Sequence, residues 1–268
     1  MFQQRRFAVP LAASALIWLS TAPAASATPA DDPAFPGVVA PAETSSHWGL
    51  GLAAVSTGEL YRGDSNQVTP FPLVLYDSQY VHFFGNTFDV KLPAYGYVDF
   101  AIRAKYGVGA GYKASDSAYL SGMAERKAGA SVGFAATTKT AFGTFSAEWQ
   151  KLPSDSKGQQ VQIGAEWPIK QGRFEFVPHI GVDWADRKYV DYYYGVLPNE
   201  ATAARAAYAG NAATNVGVGI RVNYAIARNQ VLVLNVTDTH YGKNITDSPL
   251  VDKTTAPSIQ FGYLYQFK

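Results

Sequence analysis

Four histidines, His47, His82, His179 and His240, are the side chains best suited to metal binding or proton transfer. None of them forms the H-x-x-x-H spacing of a helical metal site. Asp238 and His240 stand two apart, so on a strand they would share a face, as an acid–base pair requires. A polar strand end is the simpler account of both. The chain has no Gly-x-Ser-x-Gly elbow. It has no cysteine, which removes thiolate catalysis, thiolate metal sites and disulfides. These residues predict a protein that is not an enzyme and needs no cofactor.

Two other groups are more informative. Asp99, Arg103, Lys105, Glu148, Glu166, Glu175, Asp183 and Arg221 all fall on the polar side of alternating segments. Facing a barrel lumen, they would form charge rings that filter ions, or pair with one another and plug it. Facing lipid, an Arg or Lys at the midplane would cost about 2–4 kcal/mol, which places them inside. The second group is Tyr192, Tyr193 and Tyr194, with Asp247, Ser248 and Pro249, in long polar connections. Exposed tyrosine is a good contact residue for a surface partner. Packing across a barrel mouth is the other use of such a cluster.

The elements that must position these residues show period two almost throughout. In Asn215–Tyr224, Val216, Val218, Ile220, Val222 and Tyr224 oppose Asn215, Gly217, Gly219, Arg221 and Asn223. Ile259, Phe261, Tyr263, Tyr265 and Phe267 likewise oppose Ser258, Gln260, Gly262 and Gln266. No segment after His47 carries a convincing helical stripe. The runs are long enough for tilted strands of about nine to eleven residues to cross a bilayer. Trp149, Trp167, Trp184, Tyr106 and Tyr224 stand at the ends of apolar faces, where interface girdles sit. Connections alternate between short turns and long polar loops, as in bacterial outer-membrane barrels. The fold predicted is all-β, a transmembrane antiparallel barrel of twelve strands, with ten as the alternative. The choice turns on Tyr80–Leu92, read as one strand or as a tight pair around Gly85-Asn86. The register of Gln230–Tyr241 is left open.

Composition agrees. Charged residues are 16% and aromatic residues 14% of 268, too little charge for an ordinary wet surface. A net charge of +1 excludes a basic nucleic-acid-binding face. Met1–Ala27 reads as a secretory signal, with Arg5 and Arg6, an apolar run and Ala25-Ser26-Ala27 before the cut. Residues 28–46 carry four prolines and no periodicity, and read as a periplasmic linker before a barrel over 47–268.

Several segments resemble the MipA/OmpV family of outer-membrane proteins. These are the glycine-rich Trp48–Val55, Tyr61-Arg62-Gly63-Asp64-Ser65, Pro70-Phe71-Pro72-Leu73 with Tyr76, and Asp116-Ser117 with Leu120, Gly122 and Met123. They continue with Tyr192-Tyr193-Tyr194-Gly195-Val196 before Glu200, and with Asp247-Ser248-Pro249-Leu250-Val251. The chain departs from the family pattern at Arg62 and in ending Phe267-Lys268. The resemblance implies a Gram-negative outer-membrane barrel surrounded by outer-membrane lipid. It also implies a scaffold that joins a periplasmic lytic transglycosylase to a penicillin-binding synthase in peptidoglycan remodelling. Family members described as porin-like or adhesive make a small-solute channel or a surface adhesin the alternatives.

Overall fold

A computed structural model describes residues 46–58, 60–63, 67–109, 111–153 and 155–267. The expected signal peptide, residues 28–45 of the expected linker, and Lys268 lie outside the described residues. The chain forms one antiparallel sheet that closes on itself. Its strands are β1 (His47–Thr57), β2 (Gln67–Asp77), β3 (Val81–Phe84), β4 (Thr87–Tyr95), β5 (Val98–Val108), β6 (Gly129–Thr140) and β7 (Gly143–Lys151). They continue as β8 (Gln159–Glu166), β9 (Ile169–Gln171), β10 (Phe174–Ala185), β11 (Ala213–Ala227), β12 (Gln230–His240) and β13 (Thr255–Phe267). Each pairs with its sequence neighbour, and β1 pairs with β13 from Trp48↔Phe267 to Thr57↔Ser258. Both β8 and β9 pair with β10, and only Trp167-Pro168 separates them. Trp167 still donates to the Pro178 carbonyl (3.0 Å). They are one stave interrupted at a proline, so the wall has twelve staves. Closure leaves backbone groups paired inside the wall, as lipid demands.

The Tyr80–Leu92 stretch is the tight pair, with Gly85-Asn86 joining β3 to β4. Gly85 has φ +60° at the first turn position, which suits glycine and fits a two-residue hairpin. Gln230–His240 turns its odd residues inward, burying Val231, Asn235, Thr237 and Thr239. Asp238 and His240 are exposed on the outer face of β12. The outward faces carry apolar residues such as Leu52, Ile102, Ile163 and Phe261, which are exposed and suited to lipid. Tyr106, Trp149 and Trp184 mark one end of this band; Trp48, Trp167 and Phe174 mark the other. Among the described residues no helix is long and apolar enough to cross a membrane, which says nothing against crossing by strands.

One place in the wall is incomplete. β3 is only four residues long and pairs with β2 only at Leu75–Asp77. The Gly85 amide extends the ladder to the Val74 carbonyl (3.2 Å). Beyond it, Gln67–Leu73 pairs with β1 but has no strand partner on the other edge among the described residues.

Candidate functional site

The inner face of the wall is built from the polar positions of the alternating strands. Arg103 on β5 donates from Nε and Nη2 to the Asp89 carboxylate on β4 (2.8 and 2.7 Å). Its Nη1 reaches Glu148 on β7 (2.6 Å), whose other oxygen accepts from Lys105 Nζ. Further round the wall, Arg221 on β11 makes a two-pronged pair with Glu166 on β8 (3.3 and 2.9 Å). Asn223 holds Glu175 (2.8 Å). Asp183 on β10 is buried to 1% exposure. Asp99 is half-buried at the start of β5, opposite Thr137. The eight charged positions singled out from the sequence therefore share the inner face, and five of them join two ion-pair clusters.

The sequence reading missed Asp89, the second carboxylate on Arg103. Its signal was present: Phe88, Asp89 and Val90 alternate, and the β4–β5 hairpin at Gly96-Tyr97 sets Asp89 opposite Arg103. It also missed a third cluster at the other rim, where Asp77 bridges His82 (2.8 Å) and Lys91 (2.7 Å).

A second inner surface is apolar. Leu73 and Leu75 of β2, Val231 of β12 and Leu264 of β13 pack together, with Phe71 and Phe84 against them. The lumen thus has a charged wall and an oily wall. The paired charges expose little of their side chains (7–17% for Arg103, Lys105, Glu148, Glu166 and Arg221), so no broad water column runs past them.

The outer mouth is capped. Here the expectation of loops without helix is corrected: Arg187–Tyr194 forms a helix, α1, and Lys243–Thr246 a single turn, α2. Asp186 caps α1 by accepting from the Tyr189 amide (2.9 Å) and also takes the Gln159 amide (3.1 Å). Tyr189, Val190, Tyr193 and Tyr194 recur at helical spacing and are buried. They pack on Leu120, Met123, Leu152, Ile245 and Leu250 from three other connections. Tyr193 is fully buried, and its hydroxyl donates to the Val108 and Lys127 carbonyls (3.3 and 3.1 Å). Gly109 lies beneath it, where a Cβ would come within 2.0 Å of that hydroxyl.

Tyr61 donates to the Tyr193 carbonyl (3.0 Å) and lies against Tyr112 and Tyr194. Ser248 donates to the Tyr194 carbonyl (2.6 Å). Arg126 donates from Nη2 to both carboxylate oxygens of Glu200 (3.0 and 2.8 Å) and from Nε to the Tyr192 carbonyl (2.9 Å). Of the expected contact residues, Tyr193, Tyr194 and Ser248 are therefore interior, occupied by packing and backbone hydrogen bonds. They are not available to an outside partner. Tyr192 and Pro249 are half-buried; Asp247 is exposed, paired with Lys243 (2.8 Å).

The electrostatics of the cap follow from this packing. Burial pushes the phenols of Tyr61, Tyr189, Tyr193 and Tyr194 above the usual tyrosine range. Tyr112 is pushed up to about 12, burial outweighing the nearby Arg126. For Glu200, burial works the other way from the outcome. The amides of Ala124 and Leu197 and the Arg126 guanidinium overcome it and hold the carboxyl below its ordinary value. The pairing of Arg126 with Glu200 was not foreseen, because a loop ion pair carries no period in sequence.

The sequence profile of a family described as MltA-interacting protein MipA matches residues 50–267. The chain is 29% identical to the outer membrane protein OmpV of Vibrio cholerae over 187 residues, 69% of each chain. It is 23% identical over 234 residues to the putative outer membrane protein YiaT of Escherichia coli K12, covering 84% of this chain and 92% of that one. A solved outer membrane channel from Pseudomonas putida F1 aligns at a TM-score of 0.44 and 9% identity, covering 87% of this chain and all of that one.

Proposed function

The chain belongs to the MltA-interacting protein (MipA) family of outer-membrane barrels, and from that premise we propose that it is a non-catalytic scaffold. It would hold peptidoglycan-remodelling enzymes, a lytic transglycosylase and a penicillin-binding synthase, against the inner surface of the outer membrane. The observation that carries the proposal is the family match over nearly the whole barrel, in a family described by its interaction with MltA. A surface of suitable chemistry stands on the short-turn side, which faces the periplasm in barrels of this type. Tyr80, Tyr95, Tyr97 and Phe142 are 69–90% exposed at or beside turns. Aromatic side chains are enriched at protein interfaces and among their strongest contacts.

Pull-down of periplasmic murein hydrolases and synthases tests the proposal. The comparison is between the full chain, a deletion of residues 28–46, and a Tyr97→Ser/Phe142→Ser double variant. Both enzyme classes are expected with the full chain, and less of them with one or both variants. Capture of neither class by the full chain overturns the proposal. Small-solute conduction is the second reading, favoured by the polar inner faces. It is opposed by the capped mouth and the paired charges.

A further inference from the structure

Five short turns join the strands at the periplasmic end, and their charge is uneven. Ser78–Tyr80, Gly96-Tyr97 and Ala141-Phe142 carry none. Gly172-Arg173 and Arg228-Asn229 each carry an arginine, and both arginines are exposed. These two turns adjoin, because β10 and β11 pair from Phe174↔Tyr224 onward. The Ala225 amide donates to the Arg173 carbonyl (3.0 Å) and carries that ladder into the turn. Ile226 is the extra residue of a bulge, since Ala225 pairs with Val231 and Ala227 with Gln230. Its carbonyl accepts from Arg173 Nη1 (3.4 Å). One guanidinium is thus drawn across to β11, two residues before Arg228.

The ion pairs among the described residues involve neither arginine. Glu175, two residues beyond Arg173, is turned inward, where the Asn223 amide donates to it (2.8 Å). Lys170 is in register with Glu175 and shares that inner face. The outer face beside the arginines is apolar and aromatic. The Phe174 ring centre lies 4.7 Å from that of Tyr224 and 5.9 Å from that of Phe176. Phe176 is flanked in register by Ile169 and Val222. Phe174 and Ile169 are exposed. A cationic pair therefore stands directly beneath a lipid-facing ledge. An arginine at the end of a membrane strand lays its stem on apolar surface and puts its charge at headgroup level. Free of carboxylates, such a guanidinium can take a phosphate with two parallel hydrogen bonds.

We propose that these two turns bind an anionic phospholipid of the inner leaflet. Its phosphate lies between Arg173 and Arg228, and its acyl chains run up the wall over Phe174, Phe176 and Ile169. The adjacency of cations and ledge selects this occupant. A soluble anion would use the arginines and leave the ledge uncovered. A zwitterionic lipid would cover the ledge but bring its own cationic group to the arginines. The site is on the outside of the wall, needs no opening in it, and is independent of the scaffold role.

The test presents the folded full barrel, in a neutral detergent, with phosphatidylglycerol and phosphatidylcholine of matched chains, and reads bound lipid by native mass spectrometry. Phosphatidylglycerol should be retained at least about tenfold better, the preference that two arginines near an anionic headgroup confer. Arg173→Gln/Arg228→Gln should bring the two lipids to parity, with the heat-modifiable gel mobility of a folded barrel kept. Lys157→Gln/Lys188→Gln, which removes two exposed cations at the outer mouth, should leave the preference unchanged. Equal retention of the two lipids by the unaltered protein overturns the proposal. So does competition by glycerophosphoglycerol, the head without chains, at the lipid's own concentration, which would show a bare anion site. A preference that survives in the double arginine variant, or falls as far in the double lysine variant, overturns it as well.

Discussion

Glu166 and Arg221 meet inside the wall, 8% exposed or less, with no water layer to absorb a lone charge. Arg221→Ala is expected to destabilise the barrel by about 3–5 kcal/mol, because Glu166 is left charged and buried. The paired replacement Glu166→Leu/Arg221→Met should recover most of that loss. Denaturant unfolding of the three variants in one detergent checks both statements. At the mouth, the Glu200 carboxyl titrates below its unfolded value. Its contribution is therefore present above about pH 4, the ordinary glutamate range, and is lost as pH falls through the folded value. Limited proteolysis of residues 197–212 should accelerate in that acid window, and Glu200→Gln should flatten the dependence. The inner-face charges were legible because alternation and the cost of charge in lipid act residue by residue. Asp89 escaped because its face depends on where a two-residue turn falls. Arg126 and Glu200 escaped because they are 74 positions apart.

The strands announced themselves through period two. Where that period is pinned by a buried face, a one-residue slip would turn every side chain to the wrong solvent. Helix α1 did not announce itself. It has eight residues, four of them tyrosine and one β-branched, so intrinsic propensity gives little signal. Its cap and its tertiary burial make it form. Asp186→Ala should therefore cost about 1 kcal/mol, the usual value of a lost N-cap. Hydrogen exchange at the Tyr189 and Val190 amides should rise, while the β10 and β11 amides stay protected. The four-residue β3 was ambiguous for a related reason: so short a strand is specified by its hairpin turn more than by its own sequence.

For the molecule as a whole, an aromatic cap over the mouth and ion pairs across the inner face predict an electrically quiet barrel. Planar-bilayer recordings of folded protein are expected to show no sustained openings above background. Ohmic, long-lived openings would show that the cap is not a seal. The same architecture has a consequence in time. The wall closes only when β13 pairs with β1, bringing Trp48 beside Phe267. The first strand made must therefore wait for the last before its second edge is filled. Contacts so distant in sequence make folding slow and leave exposed edges prone to misassembly meanwhile. The barrel is thus a structure whose completion is a single late event, and its most vulnerable hour is the interval between synthesis and closure.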